Sequence, residues 1–403
     1  MRPLGGMLLF ATAAAVVMGS APANAALCGS EKPGNPIVYV TGAAKTYLAA
    51  LARALYSDAE PITIVWKGAS SCVAWDAVLN GTPLTGTAEY WDPSSQEADN
   101  QVECELPVLD GGVLNADIAI SDVFASTCQP LPNGLPSDIG DFLGPVQPMT
   151  FVAPYASSER AISATAAYFV YGFGADSGVP PWTDAEYIYR LDTTSGTLRI
   201  LAAGIGVPPE KWKGNNANYS GQEITKLTTV PVEAVNKTIG ILAGTNLTDS
   251  LKLQLKVLAF KHFGQSCAYY PDSTDTSKDK RNVRDGHYAL WGPVHVASKI
   301  DSKGYPVSEH ARRVINYLTG VTPPPGHLDL VQVAATSNLV PSCAMRVKRD
   351  REMGPMASFI PSTPCHCAFE KAATGSSSCQ PCTTSAECPA ASPTCSFGYC
   401  ESP

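Results

Sequence analysis

Past its N-terminal two dozen residues, the 403-residue chain has no stretch approaching the roughly 18 uncharged apolar residues that a membrane-spanning helix needs. Internal repeats are also missing, which sets aside solenoids and propellers. Basic residues are scarce: 28 Lys and Arg against 36 Asp and Glu give a formal charge of -8, so a surface for nucleic acid or another polyanion is excluded. A small anion is not, because a buried site works through local donors and helix dipoles rather than net charge. Neither a Gly-x-Ser-x-Gly elbow nor a His-Glu-x-x-His motif occurs, and the histidines at 262, 287, 295, 310, 327 and 366 are scattered. No catalytic residue, cofactor or metal site is therefore expected.

What is present begins at the N-terminus. Arg2 precedes an apolar run from Met7 to Met18, and Ala23-Asn24-Ala25 follows as a small-x-small cleavage signal, so 1–25 reads as a signal peptide and export is expected. The run is too short and Ala-rich for a span. Leu27 stands before Cys28, where a lipid-attachment site wants Gly, Ala or Ser. The chain carries 13 cysteines, which in an oxidising compartment means disulfides. An odd count leaves at least one without an intramolecular partner, and spacing does not reveal the connectivity. Beyond about residue 355 the composition turns to Ser, Thr, Pro, Ala and Cys, so the tail is expected to be held by disulfides rather than by a core. Cys365-His366-Cys367 and Cys379-x-x-Cys382 also have metal-ligand spacing, and the export signal favours the oxidised alternative.

The body alternates strand and helix signals, which predicts an α/β fold with a mostly parallel sheet. Ile37–Val40, Ile62–Trp66 and Ala116–Ile120 read as short apolar strands, and Tyr47–Tyr56 as a helix burying Leu48, Leu51 and Leu55. Met149–Ala153 lies between prolines and suits a crossing into a second lobe, with Lys256–Phe260 returning. Thr238–Ala243 reads as a buried strand. Ser308 caps a last helix, Glu309–Leu318, that buries Ala311, Val314, Ile315 and Leu318.

Several strands end in small hydroxyl or glycine residues, the place where open α/β sheets bind ligands. Five turns collect them: Gly42–Tyr47, Gly68–Cys72, Ser121-Asp122, Arg190–Thr197 and Ser220-Gly221. Hydroxyls and unpaired N–H groups at helix starts make an anion site, and Arg190 adds a permanent charge. Each turn alone is more simply a cap or an ordinary turn; their order within one chain is the signal.

From about residue 35 to 320 that order resembles the phosphate-binding component of bacterial ABC importers. Gly42-Ala43-Ala44-Lys45-Thr46-Tyr47 is similar to that family's first loop, Ala69-Ser70-Ser71 to its Gly-Ser-Ser loop, and Ser121-Asp122 to its Ser-Asp pair. The stretch from Arg190 to Ser195-Gly196-Thr197 resembles its Arg-x-Asp-x-Ser-Gly-Thr loop with one residue extra.

The resemblance implies a two-lobed type 2 periplasmic-binding-protein fold with a hinge and an inter-lobe cleft. Its divisions would be lobe one at 26–148, lobe two at 149–260, a return to lobe one at 261–350 and a Cys-rich tail at 351–403. It implies contact residues Thr46, Tyr47, Ser70, Ser71, Ser121, Asp122, Arg190, Ser195, Gly196 and Thr197. It also implies phosphate or a related oxyanion as ligand and an ABC permease as partner. An ionised Asp122 accepts but does not donate, so it would favour a protonated oxyanion over sulfate. Two alternatives stand beside this reading: a surface or secreted interaction protein, its tail meeting an envelope component, and a phosphatase-like hydrolase.

Overall fold

The computed structural model describes residues 26–402 apart from 31, 110–111 and 325–327, so the expected signal peptide lies outside the described residues. The first lobe opens with β1 (Ile37–Gly42), α1 (Lys45–Tyr56), β2 (Thr63–Gly68), α2 (Ser71–Leu79), β3 (Thr87–Trp91), β4 (Gln101–Glu105), β5 (Ile118–Ser121) and α3 (Ala125–Cys128). A long strand, β6 (Ile139–Pro154), then leads into the second lobe. There follow β7 (Ala161–Ser163), α4 (Ala164–Phe173), β8 (Tyr189–Leu191), α5 (Gly196–Ile205), β9 (Asn215–Ala217), α6 (Ser220–Thr228), β10 (Gly240–Ala243), β11 (Leu255–Val257) and β12 (Ala259–Lys261). The chain returns through α7 (Arg281–Arg284), β13 (Trp291–Lys299), α8 (Glu309–Leu318) and α9 (Leu330–Thr336). It ends in β14 (Val347–Lys348), β15 (Ala357–Ser358), α10 (His366–Thr374), β16 (Thr394–Ser396) and β17 (Tyr399–Glu401).

Nine strands form one sheet in the order β10-β6-β13-β5-β1-β2-β3-β4, with β11 also on β6. Only β1 is parallel to its neighbours, β2 and β5; the other pairings in this sheet are antiparallel. The expected mostly parallel sheet is thus corrected. The helix connections of the first half give the parallel centre, while the β3–β4 hairpin and the returning β13 supply antiparallel neighbours. β6 joins the lobes: Ile139–Pro148 pairs with β13 and Met149–Pro154 with β10 and β11.

Each lobe has its own core. In the first, Leu48, Leu51 and Leu55 of α1 meet Val38 and Val40, and α8 adds Val314 and Ile315. That helix is capped as its sequence indicates, Ser308 Oγ accepting from the Ala311 N–H at 3.2 Å. In the second, Phe151, Tyr171, Leu201, Ile241 and Phe260 are joined by Val283, Tyr288, Leu290 and Val340 from the returning chain. The segment expected to return wholly to lobe one, 261–350, is therefore shared between the two cores.

The tail joins that second core as well. Phe369 of α10 is fully buried against it, a contribution of about 1.5–3 kcal/mol. Cys343–Cys365 then ties the body to the tail. A tail held by disulfides alone is corrected on this point: Phe369, with Phe359 packed beside the same core, supplies an apolar anchor.

The other bridges are Cys28–Cys104, Cys72–Cys128, Cys367–Cys379, Cys382–Cys395 and Cys388–Cys400, which leaves Cys267 free and exposed. All seven tail cysteines are thereby oxidised, so the cluster of Cys382, Cys388 and Cys400 offers no thiolate to a metal. Among the described residues no helix is long and apolar enough to cross a membrane.

Candidate functional site

A cleft of about 560 Å³ lies between the lobes. Its first-lobe wall comes from the β1–α1 and β2–α2 turns, including Lys45, Thr46, Trp66, Ser70 and Ser71. Its second-lobe wall comes from the starts of α5 and α6 and the end of β10, including Ser195, Gly196, Thr197, Tyr219, Ser220 and Thr245. Asp122 and Gln147 lie on its inner face.

Of the helices that begin at this cleft, α6 carries Glu223 in its first turn, while three others have bare starts. α1, α2 and α5 have no side-chain cap bond and no acid in the first turn. Away from the cleft, α4, α8 and α9 are capped by Ser163, Ser308 and Asp329, whereas α10 has neither cap nor first-turn acid. An uncapped start leaves backbone N–H donors and the positive dipole end without a partner from the chain's own side chains. α2 is a partial exception, because the Cys72 N–H donates to the Thr194 carbonyl across the cleft at 3.1 Å. The geometry of α1 demands an unusual backbone: Ala44, its N-cap, has φ of +56° and Gly42 has φ of +122°.

Asp122 is 6% exposed and accepts from Gln147 Nε2 at 2.8 Å and Ser71 Oγ at 3.3 Å. Burial pushes its carboxyl up to about 6, against the hydrogen bonds from Ser71 and Gln147 and the charge of His295. Gln147 is itself buried, and its Oε1 has no hydrogen-bond partner. The inner face therefore presents acceptors, Asp122 and Gln147 Oε1, while the helix starts present donors.

The lobes meet at this inner end. Ser70 Oγ donates to Thr194 Oγ1 at 2.7 Å, and Gly196 packs on Ser71 and Asp122 so closely that a Cβ there would lie 2.7 Å from Asp122 Cβ. Lys45 lines the mouth and is already engaged, 2.6 Å from Glu89 and 4.9 Å from the centre of the Trp66 ring. A second recess of about 220 Å³, lined by Lys67, Thr87, Glu89 and Glu103, shares Trp66 and Gly68 with the cleft.

Of the residues expected from the sequence, Thr46, Ser70, Ser71, Asp122, Ser195, Gly196 and Thr197 line the cleft together. Three do not. The Tyr47 ring is buried behind α1 and its hydroxyl donates to the Leu318 carbonyl at 3.2 Å, because a helix turns successive side chains to different faces. Ser121 closes its own turn, donating to the Val123 carbonyl at 2.9 Å. Arg190 donates to Asn216 at 2.9 Å and to the Leu191 carbonyl at 3.2 Å, and lies outside the lining. As a strand residue next to Leu191, which does face the cleft, it points to the other side.

Gln147, Asn218, Tyr219, Thr245 and Asn246 were not expected. Gln147 carried a usable signal, a lone amide in an apolar strand flanked by prolines, and Thr245-Asn246 follows a buried strand end as the recognised turns do.

The sheet order, the crossing strand β6 and a cleft between two cores define the two-lobed type 2 periplasmic-binding-protein fold. Among solved structures with this fold, a protein described as a phosphate ABC transporter substrate-binding protein, from Clostridium perfringens and with bound phosphate, is similar. It aligns over 76% of this chain and 99% of its own, at 10% identity and a TM-score of 0.51. An ABC-type phosphate transport receptor from Vibrio cholerae aligns over 76% and 99% at 10% identity, with a TM-score of 0.46. A substrate-binding domain described as that of a molybdenum ABC transporter, from Clostridium difficile, aligns over 76% and 99% at 9% identity and a TM-score of 0.36. No protein-family model matches the chain, and no curated protein does either.

Proposed function

We propose that the protein is an exported solute-binding protein that captures a small oxyanion of the phosphate type in the cleft and hands it to an ABC-type importer. The observation that carries this reading is the convergence of bare helix starts on one cleft: α1, α2 and α5 reach it without a side-chain cap and without first-turn acids. Asp122 supports a protonated oxyanion, since a carboxylate on the inner face accepts the P–OH hydrogen and repels an anion with no proton to give. Six disulfides fit an oxidising compartment outside the inner membrane. The proposal is of binding without catalysis. Each charge-assisted hydrogen bond contributes about 1.5–3 kcal/mol, so a few converging on one oxyanion support micromolar binding after association costs.

Calorimetric titration of ligand-stripped mature protein with phosphate, and with sulfate as control, tests it. Phosphate binding at micromolar or tighter affinity, with sulfate much weaker, is the expected result. A second reading, an interaction protein built on the same fold, draws on two observations: Thr194 already occupies the Cys72 N–H, and Arg190 faces away. It is the reading that survives if neither anion binds.

A further inference from the structure

Because the lobes are already in contact at the inner end, the remaining space is not a product of their separation. Thr194 bridges to Ser70 and to the Cys72 N–H, and Gly196 is seated on Asp122. About 560 Å³ nevertheless remains between the walls. An inorganic oxyanion of five heavy atoms displaces a few waters, roughly 100 Å³ at about 30 Å³ each. Space of several hundred Å³ is instead the size that accommodates organic ligands, about 300–1,000 Å³.

The lining beyond the helix starts has the same character. Trp66 faces both the cleft and the smaller recess, and its ring nitrogen is buried without an acceptor. Tyr219 stands at the start of α6, two-thirds exposed (66%), with nothing in its own lobe covering most of its ring. On the inner face, Gln147 Oε1 is a buried acceptor without a donor. A bare oxyanion satisfies the helix N-termini, yet it leaves the Tyr219 ring, the part of Trp66 that Lys45 does not cover and most of the volume unused.

We propose that the ligand of this cleft is an organic oxyanion, a phosphate-type head joined to a flat apolar body. The head sits at the uncapped starts of α1 and α5, and the body lies against Trp66 and Tyr219. This rests on the oxyanion reading above and narrows it to an ester or phosphonate class.

Phenyl phosphate and inorganic phosphate, titrated in parallel into the ligand-stripped mature chain, give the test, with Trp66→Ala and Tyr219→Ala as variants. Tyr219→Ala changes a largely exposed side chain, so one of the two variants stays informative should the other fold poorly. Phenyl phosphate should bind at least ten-fold tighter than inorganic phosphate, and that ratio should fall below about three-fold in the variants. Equal affinities, or a ratio that neither variant lowers, overturn the organic body while leaving the oxyanion site in place. No binding of either probe overturns the oxyanion site itself, and this inference with it.

Discussion

Asp122 and Glu223 are both acids withdrawn from water, and their neighbours give them opposite duties. Asp122 opens onto the cleft, where a ligand hydrogen can reach it. Asp122→Asn keeps the shape and the Gln147 contact but offers an N–H to the ligand. The ratio of phosphate to sulfate affinity should therefore fall ten-fold or more, chiefly through gained sulfate binding; an unchanged ratio in calorimetry removes the carboxylate from anion selection.

Glu223 is fully buried, its Oε1 accepting from the Ile241 N–H at 2.7 Å and its Oε2 without a partner, and burial pushes its carboxyl up to about 8. The folded protein keeps this proton up to about pH 8, while an unfolded glutamate releases it above its ordinary 4.5. The group's stabilisation is therefore complete below 4.5 and is lost as pH rises toward 8, by up to about 1.4 kcal/mol per pH unit. Melting temperatures measured from pH 5 to 8 should fall more steeply for the wild type than for Glu223→Gln; matching slopes place the effect on another group. Asp122 was legible because it follows an apolar strand, whereas Glu223 was not, since an acid in the first turn of a helix looks solvated until the lobe closes over it.

Uncapped helices are an element-scale property, and they set stability against binding. Ser195 precedes α5 without making a cap bond, and its Gly196 neighbour must touch Asp122. Ser195→Asp should cap the helix and add a favourable charge at its positive end, together about 0.5–1 kcal/mol. The same charge repels an anion, so phosphate affinity should drop at least ten-fold while the melting temperature holds or rises. Loss of both stability and binding would instead mean that the α5 start is a packing element with no anion role.

Elements with clean periodicity were readable in advance, as α8 and β1 show. β13 and the first half of β6 were not. Pro293 and His295 interrupt β13 where its register on β6 shifts, and Gly140, Gly144, Pro145 and Pro148 punctuate β6. Such residues signal loops locally; only the pairing of β6 with β13 makes them strand. The tail misled for a related reason: isolated phenylalanines among small polar residues carry no periodic signal, yet the docking of Phe369 on the second core positions α10.

The same trade appears for the whole molecule in how firmly the lobes are held together before any ligand arrives. Besides Arg199 of α5, which donates to the Thr127 carbonyl at 2.6 Å, the lobes touch through Ser70 on Thr194, the Cys72 N–H on the Thr194 carbonyl, and Gly196 on Asp122. The last three run through the Arg190–Thr197 loop, and Thr194 lies within the stretch that is one residue longer than the loop it resembles. A ligand touching both lobes selects the closed arrangement, so whatever holds the lobes shut in its absence raises apparent affinity by enlarging the competent fraction. Thr194→Val removes the hydroxyl that accepts from Ser70 and donates to Asp192, and it leaves the carbonyl and the side-chain volume. A net hydrogen-bond contribution of about 0.5–1.5 kcal/mol predicts a two- to twelve-fold shift toward the open state. Small-angle scattering should show a larger radius of gyration for the free variant, and saturating phosphate should restore the wild-type value at a dissociation constant weakened by no more than that factor. Identical scattering from free variant and free wild type would move the closing force to the contacts that the variant keeps: the Cys72 N–H on the Thr194 carbonyl, Arg199 on the Thr127 carbonyl, and the seating of Gly196 on Asp122.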